Sequence, residues 1–224
     1  MISLLSQFVP TVWAVAEGIP TTLAYSFIPL LVAFAAGTAL ALAKLAAPKP
    51  IRWFVNFYVS IFRGTPLVIQ LMVIAYGLPV ITGVKLSAFF AGILAFSLNS
   101  AAYVCEIIRA GIEGIDKGQC EAASALSIPY SQSMQDIILP QALKRVLPTL
   151  VSESINLVKE SAIISMLPGT GFDITRQAQI ISMQNYSFLE PMLAAAICYY
   201  IITSCLNIAG SMLEDYLQKA QAHD

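Results

Sequence analysis

The chain has 224 residues, of which 58% are hydrophobic and 11% are charged, and its formal net charge is −1. An average soluble domain is about 25% charged, so this composition excludes an ordinary soluble domain, and the lack of a basic balance argues against nucleic-acid binding. Four runs without charge are each close to the ~20 residues that a helix needs to cross a bilayer. They are residues 18–43, 64–84, 86–105 and 191–213. The sequence therefore predicts a polytopic helical membrane protein.

Cysteine, histidine and glycine usage argues against several kinds of site. The four cysteines form no Cys-x-x-Cys pair, and the single histidine, His223, lies in the C-terminal tail. A metal site, a disulfide framework or a Ser/His/Asp set is therefore not expected. No Gly-Lys dipeptide occurs, which excludes a Walker-type phosphate loop. An intramembrane enzyme thus lacks candidate catalytic residues, and no cofactor is expected in this chain.

In chain order, the sequence predicts an interfacial helix and then five transmembrane spans within one domain, 1–224. The apolar segment in residues 1–17 is too short to cross a bilayer, so an interfacial helix fits it better. It has no basic n-region with a cleavage site, so we expect it to be retained. The spans are predicted at about 21–46, 53–78, 86–108, 146–167 and 191–213.

A polar connector, about residues 114–140, separates the third and fourth spans. Small or polar helix formers run from Gln119 to Ile128, and Pro129 is expected to end that helix. A second short helix is expected from Ser131 to Leu139, ended by Pro140. Two short helices between spans are suited to contact a soluble partner.

Five spans place the two termini on opposite sides, and the loop charges indicate which side is which. Cytoplasmic loops carry the excess of lysine and arginine. One set of loops carries eight such residues and the alternate set carries two: Lys44, Lys49, Arg52, Arg109, Lys117, Lys144, Arg145 and Lys219 against Lys85 and Arg176. The polar connector and the C-terminus are therefore predicted to be cytoplasmic, with the N-terminus outside.

The fourth span carries ionisable residues that burial in lipid would penalise. Thr149, Glu153, Asn156 and Glu160 fall within about 60° of one another on a helix. Each charge at the centre of a bilayer costs about 2.5–3.5 kcal/mol, and such groups usually face a bundle interior or a wet cavity. Two interpretations stay open, namely a polar stripe that lines a substrate pathway and a structural ion pair with another helix, such as one to Arg63.

The second and third spans raise similar alternatives. Pro66 removes a helical hydrogen bond and Gly64 loosens the same turn, so Arg63 and Thr65 are predicted to lie at a bend. That bend is either beside a cavity or purely structural. Asn99 and Tyr103, four residues apart, can face the same interior, and an interhelical hydrogen bond is the alternative for Asn99.

Seven stretches, taken in order, resemble one family: the permease subunits of ATP-binding-cassette importers for polar amino acids. The matching stretches are Thr21–Leu23, Phe62–Gln70, Ala101–Arg109, Gly118–Ala123, Ile138–Ala142, Pro148 and Lys159–Ser161. Each is weak alone, but the ordered set spans about residues 20–165. The resemblance implies an all-α type I importer permease in a bacterial cytoplasmic (inner) membrane.

The resemblance also implies roles for individual residues. The polar connector becomes the coupling region, which docks on a separate ATPase through Glu121, Ala122, Ala123, Leu126 and Ser127. The substrate pathway is expected to include Arg63, Thr65, Asn99, Tyr103, Glu153, Asn156, Glu160 and Ser161. Two departures from the family pattern stand out, since Ser127 replaces a usual glycine and Lys159-Glu160-Ser161 replaces the usual Lys-Asp-Thr.

The partners implied by the resemblance are a second permease copy or a sibling, two ATPase subunits that bind ATP and magnesium, and an extracytoplasmic amino-acid-binding protein. The acidic stripe indicates a cationic or zwitterionic substrate such as arginine, lysine, histidine or glutamine, with basic amino acids favoured. A stand-alone secondary transporter or channel-like protein is the alternative; it predicts an internal inverted repeat, and the sequence contains no evident repeat.

Overall fold

A computed structural model describes residues 2–221, and every regular element in that range is helical, which confirms the predicted all-α class. The α-helices are α1 (Ile2–Ala16), α2 (Ile19–Ala46), α3 (Lys49–Gly64), α4 (Leu67–Met72), α5 (Leu78–Thr82), α6 (Ala88–Glu113), α7 (Lys117–Ala125), α8 (Tyr130–Ser133), α9 (Leu139–Glu160), α10 (Ile174–Asn185) and α11 (Leu189–Gln221). Met1 and residues 222–224, which include His223, lie outside the described range.

Three stretches of the described chain are long and apolar enough to cross a membrane: Phe8–Ala46, Ala88–Glu113 and Leu189–Tyr216. A fourth forms if α3 and the helix Leu67–Thr82 count as one broken span, bent by 108°. The bend falls at Gly64-Thr65-Pro66, where the sequence predicts one. Helix α9 is not among these stretches, because five charged side chains lie within its 22 residues.

Helices α2 and α6 form the centre of the bundle, and small residues allow them to approach closely. A Cβ atom on Gly37 of α2 would lie 2.7 Å from the Cβ atom of Val104 on α6. Against this pair pack α3 and α9, which bury Val55, Val59 and Val146 with the α6 face. A separate apolar cluster joins α1, α10 and α11 around Val15.

The corner between α1 and α2 rests directly on the start of α10. A Cβ atom on Gly18 would lie 2.4 Å from the carbonyl carbon of Asp173 and from the backbone nitrogen of Ile174. The Ile174 N–H donates to Thr22 Oγ1 at 3.1 Å. The end of helix α1 is therefore anchored to the bundle.

Two π-helical turns accommodate prolines inside otherwise continuous helices. Met134–Ile138 connects α8 to α9, and Val73–Gly77 connects α4 to α5. Each turn ends two residues before a proline, Pro140 or Pro79. A proline ring clashes with the carbonyl four residues earlier, and the wider i→i+5 turn moves that carbonyl away. The prediction that Pro140 ends a helix is therefore wrong, because one helical path runs from Tyr130 to Glu160.

The first helix of the polar connector also differs from its prediction. Helix α7 ends at Ala125, three residues before the predicted end at Ile128. Ser127 adopts a left-handed conformation with φ of 56°. Its N–H donates to Ser124 O at 3.0 Å, and the N–H of Ile128 donates to Ala123 O at 3.0 Å. This pair of bonds is a Schellman motif, and it ends the helix before Pro129 is reached.

Candidate functional site

The predicted polar stripe lies on an open face of α9. Thr149, Asn156 and Glu160 are exposed and Glu153 is half-buried. Ser161 does not share this face, since it is fully buried and its hydroxyl donates to Val158 O at 2.7 Å. The helix therefore presents two carboxylates together with neutral polar groups along one side.

Neither carboxylate of this face forms an ion pair within the described residues. Arg63 instead lies 3.8 Å from Glu106, and its guanidinium carbon is 5.4 Å from the centre of the Tyr103 ring. Glu153 is within electrostatic range of Arg63 and Glu160 without contacting either. The predicted alternative, a direct ion pair between Arg63 and the stripe, is not formed among the residues that the structure describes.

A cavity of about 550 Å³ lies between α3, α6 and α9, and we call it the pathway cavity. Arg63 of the predicted bend, Tyr103 of the third span and Thr149 of the stripe line it. Arg109 and Arg145 line it as well, with Glu106 as the acidic member. The cavity wall is thus cationic, whereas the stripe that continues along α9 is anionic.

The bend between α3 and α4 is held by a buried network that uses two of the predicted pathway residues. Gln70 Nε2 donates to Phe62 O at 2.8 Å and to Thr65 O at 3.0 Å. Asn99 Nδ2 donates to Gln70 Oε1 at 3.0 Å and to Phe62 O at 3.2 Å. These bonds satisfy carbonyls that the broken helix leaves free. Asn99 is 4% exposed, so the structure favours its alternative role as an interhelical hydrogen-bond donor.

Sequence reasoning gave no role to Gln70 or Glu106, although both lie in the stretches that carry the resemblance. Glu106 accepts from Lys44 Nζ at 2.5 Å and from Arg109 at 2.8 Å, so one carboxylate joins α2 and α6 close to Arg63 of α3. The signal for Gln70 was a polar side chain inside an uncharged run. The signal for Glu106 was an acidic side chain two residues before the predicted end of the third span, at about residue 108.

Asp173, which lies outside the membrane-spanning segments, is a second charged group that the sequence did not single out. Its Oδ2 accepts from the Thr175 N–H at 3.0 Å and caps α10. Its Oδ1 has no hydrogen-bond partner among the described residues, and the side chain is fully buried. Burial raises the pKa of the Asp173 carboxyl to about 6, although hydrogen bonds from backbone N–H groups oppose the shift.

The polar connector presents a surface built from α7 and the turn after it. Glu121, Ala122 and Ser127 are exposed, and the Leu126 side chain is 74% exposed. Ala123 differs, because it is 3% exposed and packs against the chain itself. Tyr130, at 64% exposure, extends the surface and was not predicted. The connector thus exposes an acid, a methyl group and two large side chains, Leu126 and Tyr130.

Comparison with known proteins places this geometry in a family. The model of the binding-protein-dependent transport system inner membrane component matches residues 33–220. A protein of Rickettsia conorii named putative glutamine transport system permease protein GlnP is 50% identical over 214 residues, covering 96% of this chain and 97% of its own length. The arginine transport system permease protein ArtQ of Bacillus subtilis is 43% identical, covering 95% of this chain and 96% of its own length.

Solved structures agree with the sequence comparison. One described as an amino acid ABC transporter with histidines is 37% identical, has a TM-score of 0.86 and covers 96% of this chain and 98% of its own. An inward-facing MetNI methionine ABC transporter has a TM-score of 0.77 at 20% identity, over 92% of this chain and 97% of its own, and shows the shared fold. The chain therefore belongs to the family of inner membrane components of binding-protein-dependent transport systems, and it is the membrane-spanning permease of an ATP-binding-cassette importer.

Proposed function

We propose that this permease carries a polar amino acid, with basic amino acids favoured. The observation that carries the proposal is the pair of carboxylates on α9, Glu153 and Glu160, which have no ion pair among the described residues. Unpaired carboxylates at membrane depth usually face a substrate route, and they suit an ammonium or guanidinium group. The names of the similar proteins, glutamine and arginine permeases, support the same substrate class.

The cationic wall of the pathway cavity complements this assignment. An amino acid has a carboxylate as well as an ammonium group, and Arg63 and Arg145 line the cavity next to Thr149 of the stripe. The arginines of the cavity suit the carboxylate of a zwitterion, and the carboxylates further along α9 suit its ammonium group. This arrangement supports transport along the face of α9.

The exposed surface of the polar connector is the proposed docking site for a separate cytoplasmic ATPase, which binds ATP and magnesium in place of this chain. Glu121 supplies a negative charge on this surface, and the small side chain of Ala122 allows the partner to approach the helix closely. Leu126 and Tyr130 supply apolar area. The loop charges support a cytoplasmic connector and C-terminus and an external N-terminus. An extracytoplasmic binding protein and a second permease, identical or related, complete the proposed assembly.

The substrate proposal is tested by removing one charge at a time from α9. In proteoliposomes that contain the assembled transporter, the variants Glu153→Gln and Glu160→Gln are expected to lower arginine uptake about tenfold or more, since a pairing with a cation is worth about 1.5–3 kcal/mol. Uptake of glutamine should fall less. Glu17→Gln is the matched control, because Glu17 is an exposed carboxylate outside α9. Unchanged uptake of every amino acid tested would refute a role for the stripe.

A further inference from the structure

A second cavity, of about 370 Å³, lies where the end of α2 and the start of α3 meet the last turns of α6. We call it the basic cavity. Its charged lining comprises Lys44, Lys49, Arg52, Arg109 and Glu113. It shares Arg109 with the pathway cavity, and no residue of the polar connector or of the polar stripe lines it.

The charges around the basic cavity do not balance. Lys44 and Arg109 are held by Glu106, and Arg109 also contacts Glu113 at 2.5 Å. Lys49 and Arg52 form no ion pair within the part of the chain that the structure describes. Four cations and two acids leave an excess of two positive charges at this place.

The cavity lies at the boundary of the membrane. Lys44 is in the last turn of the span candidate Phe8–Ala46, and Lys49 and Arg52 are in the first turn of α3. Trp53 lines the cavity and is 68% exposed. Its ring stacks on Phe57 with centroids 5.7 Å apart and planes 6° apart. Aromatic rings next to lysine and arginine at a span end are typical of the headgroup level of a bilayer.

We propose that the basic cavity binds the phosphate headgroup of an anionic phospholipid, with the Lys49 and Arg52 side chains contacting the phosphate and the acyl chains lying over Trp53 and Phe57. Basic pockets between transmembrane helices bind anionic headgroups, and each cation near the surface contributes about 1 kcal/mol. Arginine and lysine with no acidic partner match a phosphate in charge, and the stacked rings match the chains in polarity. The assignment to the inner leaflet rests on the proposed orientation.

The chain contains two tryptophans, which gives a direct probe. In a Trp13→Phe variant, Trp53 is the only tryptophan. A brominated lipid beside Trp53 quenches the fluorescence of its ring. The purified chain is placed in nanodiscs of phosphatidylcholine with a minor fraction of brominated phosphatidylglycerol, or with the same fraction of brominated phosphatidylcholine. We expect the phosphatidylglycerol to be enriched at Trp53 roughly tenfold.

The double variant Lys49→Gln/Arg52→Gln is expected to abolish this enrichment. Lys117→Gln/Lys144→Gln is the matched control, because both lysines are exposed, are placed on the same side by the loop charges and lie outside the cavity lining. Equal quenching by the two brominated lipids, or enrichment that survives the double variant, would overturn the proposal. Loss of the enrichment on addition of inorganic phosphate would also overturn it, because the cavity would then be a site for free anions. Loss of the enrichment on binding of the ATPase subunit would overturn it as well, because the basic residues would then serve that subunit. The quenching measurements involve no transport, so a negative result for lipid binding leaves the proposed function untouched, and the reverse is also true.

Discussion

At the scale of single residues, the backbone at Ser127 has a conformation that serine adopts at a cost. A left-handed residue other than glycine is disfavoured by roughly 1–2 kcal/mol, yet the Schellman bonds that end α7 require φ of 56° here. The resemblance noted from sequence places a glycine at this position in related permeases, and the structure supplies the physical reason.

We therefore expect Ser127→Gly to stabilise the protein by about 1 kcal/mol or less, because the greater freedom of glycine in the unfolded chain offsets part of the gain. Thermal unfolding in detergent measures this change in stability. Ser124→Gly is the control inside the helix, where replacing serine by glycine should destabilise by about 0.5 kcal/mol. A lower melting temperature for Ser127→Gly would show that the serine hydroxyl has a role of its own.

The Asp173 carboxyl gives stability a dependence on pH. Its pKa is about 6 in the folded protein and near 3.9 in an unfolded chain, so between these values the folded state binds more protons. This contribution is fully present below pH 4 and is lost as pH rises through 6, by about 3 kcal/mol in total.

Asp173→Asn keeps a capping oxygen for Thr175 and removes the charge. We expect this variant to be the more stable protein at pH 8 and to show a smaller change in melting temperature between pH 5 and pH 8. The difference between the two proteins isolates this one group from the other carboxylates. An identical pH profile for both would mean that Oδ1 has an ordered partner, such as a water molecule.

At the scale of elements, packing between helices depends on glycines that leave no room for a Cβ atom. Gly18→Ala would place a methyl group 2.4 Å from backbone atoms of Asp173 and Ile174. Backbone cannot rotate away as a side chain can, so we expect a loss of roughly 2–3 kcal/mol or separation of α1 from α10.

Gly64→Ala is the control for this prediction, because a Cβ atom there meets nothing within 4 Å. Its melting temperature should stay within a degree or two of the parent, whereas that of Gly18→Ala should fall by several degrees. Limited proteolysis between α1 and α2 reports the separation directly. Equal stability of the two variants would show that the corner relaxes without cost.

The positions of the long apolar helices were predictable from the sequence, because uncharged runs report membrane burial directly. The bend at Pro66 was predictable for the same kind of local reason. The uninterrupted path through Pro140 was not, since a proline alone indicates a break and only the packing of Ile138 and Ala142 against α6 explains why the helix widens instead. The ion pairs of Glu106 with Lys44 and Arg63 were also beyond prediction, because they join helices far apart in sequence.

At the scale of the whole molecule, the second half of the polar connector and the polar stripe lie on one continuous helical path, from Tyr130 to Glu160. No loop interrupts this path, so a displacement of α8 is transmitted along the helix to Glu153. The proposed coupling therefore needs only that the ATPase hold the surface of α7, which contacts α8 and the π-helical turn after it.

Glu121→Lys is expected to lower substrate uptake about tenfold or more in the assembled transporter while ATP hydrolysis persists, because a reversed charge repels its partner at the contact. Gln119→Lys introduces the same charge on the same helix but about 200° away, and it should transport close to the parent rate. Uptake and hydrolysis measured on the same proteoliposomes separate uncoupling from misfolding. Normal transport by Glu121→Lys would remove this residue from the coupling surface.

The π-helical turn at Met134–Ile138 makes one position of this helix tolerant of a change in chain length. Its i→i+5 bonding holds one residue more than an α-helical turn, so the turn absorbs one extra residue. Deleting a single residue there would restore regular winding and leave α8 facing nearly as before, whereas a deletion in a regular turn of α9 would rotate α8 by about 100° relative to the rest of α9. In an alignment of related permeases, a one-residue gap at this point would therefore indicate loss of the bulge with the docking surface kept in place.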